Sequence, residues 1–368
     1  MGTRNRRDAA SVYAARLLRV RQNLRSPLVI TRPEHLFWLC GFTGADGAVC
    51  VTASAACFVT DPRYGEQARE ELPPGMACHV AMERAENILA RQELLQGALS
   101  LALEEETTYV GDLARWRKAF PDAEILTIPS PIAILRRVKE PEEIAAIRSA
   151  LRLTEEAFAW IAPSVRPGVR EAELAAKLEF YARMKGASRA AFDLIVASGP
   201  NSAKPHAGAT NRRVREGELV QFDIGFICAG YCSDFSRALF CGARPPAAIR
   251  RLHALVEEAQ RIGRTSICAG QELSRPDLDV RDFFRREGVL KQYLHSLGHG
   301  VGLEIHEPPR LSHAAEGALE AGMVVTLEPG LYRAGKYGIR LEDMLLVTAS
   351  GNEVLTDFPH TLACIPCK

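Results

Sequence analysis

Helix-like and strand-like patterns of hydrophobic and polar positions alternate through the first third of the chain. Residues 9–25 are rich in Ala, Leu and Arg, which is typical of a helix, and PEHLFWL places a proline where a second helix would begin. Helices are also predicted for DPRYGEQAREEL and AENILARQELLQGALSLALEE, and strands for SPLVIT, GAVCVT, ACFVT and TYVGD. This alternation with short connections predicts an α/β domain.

A change of pattern marks a domain boundary near residue 135. Pro129 and Pro131 interrupt the chain, and a long amphipathic helix then opens at Pro141, with Glu142 and Glu143 in its first turn. We therefore predict an N-terminal domain at 1–135 and a second domain at 136–368.

The second domain continues with a helix near 170–185 and then with apolar strands that carry acidic residues. These strands are FDLIVAS, ELVQFDIGFIC, SRALFC, MVVTLEPGLY and GIRLEDMLLVT. Their pattern predicts an α+β domain with a curved, largely antiparallel sheet flanked by helices.

Composition and charge narrow the classes of function. The chain has 368 residues, with 47% hydrophobic and 25% charged residues, as expected of a globular protein with a sizeable core. Lys and Arg total 46 and Asp and Glu total 45, which argues against nucleic acid or an anionic membrane as the main partner. The first residues contain no apolar run typical of a signal peptide or membrane span, so we expect a cytoplasmic protein.

The cysteines favour reduced thiols. The chain has 10 cysteines and no recognisable export signal. Cys364 and Cys367 form a CxxC without a second pair at zinc-ribbon spacing, so we interpret them as an incidental pair. Cys232 alternates with Asp234 along the chain and could face a site there, although a structural thiol is the favoured interpretation.

Acidic residues inside apolar strands are the sharpest local anomaly. Aspartate is depleted from strands, and a buried ionised carboxylate without a partner costs several kcal/mol. The interval from Asp223 to Asp234 fits a hairpin with its turn near Ala229–Gly230. Glu328 ends a further apolar strand, and Glu342 lies with Asp343 in what the pattern predicts to be the middle of another.

So many buried acids require a common source of positive charge. Arg340 shares a strand face with Glu342, but one arginine cannot balance four carboxylates. Two divalent cations would balance Asp223, Asp234, Glu328 and Glu342, and His299 would add a nitrogen ligand. A set so rich in oxygen suits Mn²⁺, with Co²⁺, Fe²⁺ and Zn²⁺ as alternatives.

The stretch HSLGHGVGLEIHEPPR, residues 295–310, is a second sequence feature that could belong to a metal site. Pro308 and Pro309 bar the helix that a zinc-protease HExxH motif needs, and the glycines do not match a phosphate-binding loop. The remaining interpretation is one arm of a metal site. His299 lies between glycines that allow close backbone approach, and a bend there could bring His306 to the same place.

Taken together, these segments resemble the pita-bread metallopeptidases, a family that includes aminopeptidase P, prolidase and methionine aminopeptidase. The matching motifs run in family order from about 192 to 348 and include FDLIVASGPNSAKPHAG, GYCSDFSRAL, TLEPGLY and GIRLEDMLLV. WLCGFTGADGAVCVT resembles, more weakly, the creatinase/prolidase-like N-terminal domain of proline-specific members. The resemblance implies a pita-bread catalytic domain at 136–368, and methionine aminopeptidases usually lack the additional domain.

The resemblance also implies roles for individual residues. Asp223 would chelate the first metal, Asp234 and Glu342 would bridge the pair, and His299 and Glu328 would complete the second metal. A water or hydroxide between the ions would be the nucleophile, with Glu328 as general base.

Five further residues match positions near the substrate in the family. His206 and His306 would contact the scissile region and the tetrahedral intermediate. His295 matches a further pocket histidine, and Arg340 and Tyr332 match positions that orient ligands or the proline end. For these last three residues, a packing or ion-pair role is an equally open interpretation.

The predicted function is that of a cytosolic Xaa-Pro aminopeptidase acting on peptides with proline in the second position. The nearest alternative is an Xaa-Pro dipeptidase, or prolidase, which shares the metal site. A creatinase-like hydrolase without metal and a non-catalytic binding protein are more distant alternatives. The resemblance further implies a homodimer.

Overall fold

The structure, a computed structural model, describes residues 6–366, so Cys367 lies outside the described residues. The chain divides into two compact units, Met1–Leu135 and Arg136–Lys368. Within residues 6–366, none of the helices is both long and apolar enough to cross a bilayer.

The N-terminal unit is an α/β domain built on one mixed sheet. Its strands are β1 (Leu28–Ile30), β2 (Ala48–Val51), β3 (Ala56–Thr60), β4 (Ala77–Val80), β5 (Ser100–Glu104) and β6 (Glu124–Ile128). Its helices are α1 (Arg6–Arg21), α2 (Pro33–Cys40), α3 (Gly65–Glu71), α4 (Ala85–Leu89), α5 (Val110–Ala119) and α6 (Pro131–Leu135). The strand order is β4-β3-β2-β1-β5-β6, with β1 parallel to β5 and antiparallel to β2.

Two predictions for this unit were wrong. The segment predicted as one long helical stretch contains α4 and then β5, a parallel strand between β1 and β6 whose Leu101 and Leu103 are buried. Strands buried on both faces form continuous apolar runs, which periodicity alone does not separate from a buried helix. The segment TYVGD begins α5 and is not a strand, because Tyr109 and Asp112 form a capping box at that helix terminus.

The second unit combines long helices with short strands. The helices are α7 (Pro141–Ile161), α8 (Glu171–Met184), α9 (Ala247–Thr265) and α10 (Arg275–Arg286). The first strands are β7 (Arg189–Ala190), β8 (Ile195–Ser198), β9 (Glu218–Ile224), β10 (Phe226–Cys228), β11 (Tyr231–Cys232) and β12 (Phe235–Cys241). The later strands are β13 (Gly298–Gly300), β14 (Glu307–Leu311), β15 (Val324–Leu327), β16 (Gly330–Arg333), β17 (Tyr337–Arg340), β18 (Asp343–Thr348), β19 (Gly351–Val354) and β20 (Ala363–Ile365).

Antiparallel pairing dominates the sheets of this unit. Their strand orders are β11-β10-β7, β20-β12-β9-β8, β14-β13-β15-β18-β19 and β16-β17. The edge strand β20 is an exception to this antiparallel pairing, since it pairs in parallel with β12. Helices α9 and α10 cover a buried cluster that includes Val256 and Phe284 from the helices and Leu327 and Leu341 from the strand side.

The long helix α7 forms where its local sequence predicts. Pro141 occupies its first turn, and Glu140 and Glu143 make a capping box that satisfies free N–H groups at the terminus. Its apolar stripe is buried, and the ring of Phe158 lies 5.4 Å from that of Phe222 on β9. The helix therefore packs directly behind the strand that carries Asp223.

The predicted hairpin between Asp223 and Asp234 is present. Ala229 and Gly230 have φ values of 51° and 88°, and the chain reverses there between β10 and β11. Beyond the hairpin, Asp223 pairs in register with Ser236 across β9 and β12. The prediction of one strand through GIRLEDMLLV was wrong, since β17 ends at Arg340 and β18 begins at Asp343. Glu342 therefore lies in the break between two strands.

We expect a pH-dependent effect of Glu155, which lies on α7 with 9% of its surface exposed. Burial raises the pKa of its carboxyl group from 4.5 to about 7, against the hydrogen bond that it accepts from the Asp357 N–H. The folded chain thus holds this proton more tightly than the unfolded chain. The associated stability is complete below pH 4.5 and is lost as the pH rises through about 7.

Glu155→Gln keeps the acceptor oxygen and removes the titration. We expect it to raise the free energy of unfolding by about 1–3 kcal/mol at about pH 8 and to change it little at about pH 4. Urea unfolding at both pH values measures these changes in the free energy of unfolding. The control is Glu156→Gln, on the exposed face of α7. Equal effects of the two substitutions at about pH 8 would contradict the prediction.

Candidate active site

A cavity of about 920 Å³ opens in the second unit among the strands that carry the acidic residues. Nine of the ten predicted site residues line it: His206, Asp223, Asp234, His295, His299, His306, Glu328, Arg340 and Glu342. Tyr332 is not among its lining residues and is 4% exposed. The tertiary fold thus assembles residues that are up to 136 positions apart (342 − 206).

The predicted metal ligands come from separate strands and converge. Asp223 lies on β9, Asp234 between β11 and β12, His299 on β13 and Glu328 directly after β15. Ligand atoms of Asp234, His299 and Glu342 all lie within 4.8 Å of one another. The Nε2 atom of His299 is 3.6 Å from Asp234 Oδ2 and 3.4 Å from Glu328 Oε1.

The orientation of His299 is set by its backbone surroundings. Its Nδ1 lies 3.1 Å from the Gly300 carbonyl oxygen, an acceptor, so Nδ1 carries the proton and the Nε2 lone pair faces the acids. Burial lowers the pKa of His299 to about 4, and the nearby His306 contributes to this shift as the second cause. The low pKa favours the neutral ring. A Cβ atom at Gly298 would overlap the main-chain oxygen of Thr326, which explains the glycine before the histidine.

The carboxylates repel one another in a buried space. Burial raises the pKa of Asp234, and the charges of Asp223 and Glu328 raise it further. Burial also raises the pKa of Glu342, followed by the charges of Asp234 and Glu328. Burial likewise raises the pKa of Glu328 to about 8, although the Arg340 guanidinium opposes the shift. Buried acids held this close require additional positive charge to stay ionised together.

The donor set fits divalent cations. Asp223 Oδ1 is buried and has no hydrogen-bond partner among the described residues, while Arg340 donates to the other oxygen, Oδ2. A buried carboxylate oxygen without a donor is unusual unless it has a role such as binding an ion. Four carboxylates and one imidazole nitrogen are ligands that first-row divalent metals accept.

Arg340, Tyr332 and His295 form a hydrogen-bonded chain behind the acids. Arg340 donates to the Tyr332 hydroxyl oxygen at 2.5 Å, and that hydroxyl lies 3.0 Å from His295 Nε2. His295 Nδ1 lies 2.8 Å from the Ser296 carbonyl oxygen and must donate to it, so Nε2 accepts from Tyr332. Burial, with the charge of Arg340, lowers the pKa of His295 to about 3. Both ring nitrogens of His295 therefore have protein partners, which suits an orienting role.

His206 and His306 differ from His295 because their side chains are exposed at the cavity. His206 follows a turn of 3₁₀ helix at Gly199–Ala203, and His306 directly precedes β14. The His306 ring lies 4.3 Å, centroid to centroid, from the ring of His299, at an interplanar angle of 77°. The glycine-rich bend thus brings both histidines of the HSLGHGVGLEIH stretch to one site.

A buried ion-pair cluster supports the His306 segment, and sequence reasoning missed it. Glu307 contacts Lys139 Nζ at 2.9 Å and also pairs with Arg136, which contacts Glu304 at 3.0 Å. The side chains of Arg136, Lys139 and Glu307 are 4% exposed or less. Arg136 and Lys139 lie a few positions before α7, at the start of the second unit, and their ion pairs with Glu307 join this stretch to β14.

Sequence reasoning also missed Arg310 on β14. Exposure alternates along this strand, and Pro308 and Arg310 are exposed on the side of His306. Arg310 lines the cavity, and among the described residues its guanidinium makes one long hydrogen bond, to Ser296 Oγ at 3.4 Å. The two-residue spacing of positions 306, 308 and 310 could have indicated from the sequence that Arg310 shares a strand face with His306.

Cys232 does not line the cavity. It is 1% exposed, its N–H donates to the Gly302 carbonyl at 2.7 Å, and its thiol lies 3.7 Å from the Leu303 carbonyl. These contacts fit a structural thiol that supports the 302–303 backbone.

Comparison with protein-family models gives two matches. Residues 145–349 match the model described as metallopeptidase family M24, and residues 17–138 match the creatinase/prolidase N-terminal domain. The first match spans every predicted metal ligand.

Similar proteins share both units. The Xaa-Pro dipeptidase of Pyrococcus furiosus is 33% identical over 91% of this chain and 94% of its own. A solved Xaa-Pro dipeptidase from Bacillus anthracis is similar with a TM-score of 0.92 and 34% identity, covering 96% of this chain and 99% of that one. A solved X-Pro aminopeptidase from Thermotoga maritima has a TM-score of 0.87 and 31% identity, with 95% and 99% covered.

Proposed function

The chain belongs to metallopeptidase family M24, and from this membership we propose that it is an Xaa-Pro exopeptidase, which removes an N-terminal residue that precedes proline. The observation that carries the proposal is the convergence of Asp234, His299 and Glu342 in one cavity, with Asp223 and Glu328 beside them. The predicted fold class, a creatinase-like N-terminal domain followed by a pita-bread catalytic domain, is confirmed, as is the class of metallopeptidase.

We assign the metal ligands as a set of five residues that would hold two divalent cations: Asp223, Asp234, His299, Glu328 and Glu342. Such ions, when bound, supply Lewis-acid chemistry that polarises a carbonyl group and makes water a stronger nucleophile. The unpartnered oxygen of Asp223 and the crowded buried acids support this assignment.

The remaining residues of the cavity would handle the substrate and its protons. Glu328 would accept the proton of the attacking water. His206 and His306, exposed at the cavity, would donate hydrogen bonds to the scissile carbonyl as negative charge develops there. Arg340, with Tyr332 and His295 behind it, would hold Asp223 in place.

Substrate length separates the two candidate activities. The similar proteins include dipeptidases and an aminopeptidase, so the aminopeptidase is not favoured over the dipeptidase. One observation favours a dipeptidase: Arg310 stands at the cavity with most of its hydrogen-bonding capacity unused by the described residues. A guanidinium there suits the terminal carboxylate of a dipeptide, through charge-assisted hydrogen bonds.

The test is hydrolysis of Xaa-Pro and Xaa-Pro-Yaa-Zaa by metal-stripped enzyme before and after addition of Mn²⁺, Co²⁺ or Zn²⁺. Metal-dependent cleavage of either substrate at the Xaa–Pro bond supports the proposal. Cleavage of the dipeptide alone identifies a dipeptidase, and release of the first residue from the longer peptide identifies an aminopeptidase. Inactivity on both would overturn the proposal and favour a binding protein or a substrate of another kind.

We expect Arg310→Met to lower kcat/KM for the dipeptide by about 10–100-fold, mainly through KM, because a hydrogen bond to a charged group contributes about 1.5–3 kcal/mol. The longer peptide, whose carboxylate lies beyond that position, loses less. Steady-state kinetics on both substrates measure the difference, with Arg215→Met at an exposed position as control. Equal losses on the two substrates would contradict carboxylate recognition.

Three finer assignments stay predictions. They are manganese as the native ion, a homodimer and a cytoplasmic location. Elemental analysis of enzyme purified without added metal, sedimentation of the full chain and cell fractionation test them in turn.

A further inference from the structure

Arg237 on β12 is a buried arginine whose five N–H groups all face oxygen atoms. It is 2% exposed and lies outside the set of cavity-lining residues. It donates to main-chain oxygens of Ser236 at 2.9 Å, Glu342 at 2.5 Å, Phe358 at 2.7 Å and Pro359 at 3.1 Å, and to Asp343 Oδ1 at 2.8 Å. A guanidinium has five donors in a rigid planar fork, so every donor is engaged in one fixed geometry.

The fork holds the backbone of a proposed metal ligand. Glu342 lies in the break between β17 and β18, where the strand ladders do not include it. Its carbonyl oxygen accepts from Arg237, and its N–H donates to the Ser236 carbonyl at 3.2 Å. Both backbone groups of Glu342 are therefore attached to adjacent residues of β12, which limits where its carboxylate can lie.

The same fork binds the segment near the end of the chain, residues 356–360. The carboxylate of Asp343 links Arg237 to this segment, because one of its oxygens accepts from Arg237 and the other lies 2.8 Å from His360 Nε2. The ring of Phe358 packs 5.2 Å from that of Phe158 and 5.6 Å from that of Phe235. The segment is thus held in place by apolar and polar contacts that converge on Arg237.

We propose that Arg237 is a positioning residue of the metal site, which couples the docked segment 356–360 to Glu342 and thereby raises the affinity for divalent cations. This inference rests on the proposed function, because it takes Glu342 as a metal ligand. Groups that orient metal ligands change metal affinity by about 10–100-fold when they are removed. A purely structural arginine would change the stability of the fold and leave the cation affinity of the folded protein unchanged.

The experiment measures the Kd for Mn²⁺ of the metal-stripped full chain by titration calorimetry, and records the visible spectrum of the Co²⁺-loaded chain. Arg237→Lys keeps the positive charge and loses the planar fork with two of the five donors. We expect it to weaken Mn²⁺ binding by about 10–100-fold and to shift the Co²⁺ bands. His360→Ala, at a half-buried position that contacts Asp343, is expected to weaken binding in the same direction by a smaller factor.

Arg212→Lys is the matched control, because Arg212 also pairs with a carboxylate, Glu218, and makes no contact with the proposed ligands among the described hydrogen bonds. We expect its Mn²⁺ affinity to equal that of the wild type. Unchanged affinity in Arg237→Lys, even with lower thermal stability, overturns the inference alone. Should Arg237→Lys not fold, unchanged affinity in His360→Ala overturns it. Failure of the wild type to bind Mn²⁺ or Co²⁺ overturns the proposed function and this inference with it.

Discussion

Glu342→Gln is expected to lower kcat/KM on Xaa-Pro substrates by about 10³-fold or more, together with loss of bound metal. Glutamine keeps the size of the side chain but removes one negative charge from a set whose Asp234, His299 and Glu342 atoms lie within 4.8 Å of one another. A neutral amide is a weaker ligand for a divalent cation than a carboxylate. Steady-state kinetics and elemental analysis of the same preparation measure both losses.

The same substitution is expected to stabilise the metal-free protein. Burial and the negative charges nearby raise the pKa of Glu342, so an ionised Glu342 opposes folding when no cation is bound. Removing that charge relieves the repulsion, and the Tm of metal-stripped Glu342→Gln should exceed that of metal-stripped wild type. Glu216→Gln, at an exposed position of the same unit, should change neither activity nor Tm. Wild-type metal content in Glu342→Gln would contradict the ligand assignment.

Glu307→Gln is expected to destabilise the catalytic unit by about 3–5 kcal/mol, because it leaves two buried cations with less compensating charge. The side chains of Arg136 and Lys139 are 3% and 1% exposed. Although burial by itself would raise the pKa of Glu307, the charges of Lys139 and Arg136 bring it below its usual value. The wild type therefore has the full benefit of the ion pairs above pH 4.5 and loses it as the pH falls through the lower, folded-state pKa.

Urea unfolding at neutral pH and in acid measures this effect. The control is Glu353→Gln, because Glu353 pairs with Arg148 at 2.6 Å but is 50% exposed. An ion pair at the surface contributes about 1 kcal/mol or less, so the control should change stability little. Similar losses in both variants, or a Glu307→Gln deficit that persists in acid, would contradict the prediction.

The acidic members of the proposed ligand set could be identified from the sequence because they violate a local rule. An acid in an apolar strand is costly without a partner, and Asp223, Asp234 and Glu328 each stand within or beside such strands. The count of charges then required cations, and the glycines around His299 indicated close approach of the backbone. The tertiary structure brings these residues together, and their role as ligands stays a prediction until metal binding is measured.

The supporting contacts were not predictable in the same way. Arg237 and Glu307 occupy strand positions that the pattern leaves unremarkable. One charged partner of each, Asp343 and Arg136, lies 106 and 171 positions away in the chain. The spacing of Arg310 after His306 indicates a shared strand face, but only the tertiary structure shows that this face lines the cavity.

Local patterns in the chain thus predicted two domains and the acids proposed as metal ligands, since periodicity, caps and misplaced charges are properties of neighbouring residues. The ordered motifs indicated the family. The fold was needed to divide GIRLEDMLLV into two strands, to distinguish β5 from a helix and to supply the buried cations beside Glu307. Those features depend on which distant backbone and side-chain groups come into contact, and pairing between distant residues is information that no single segment contains.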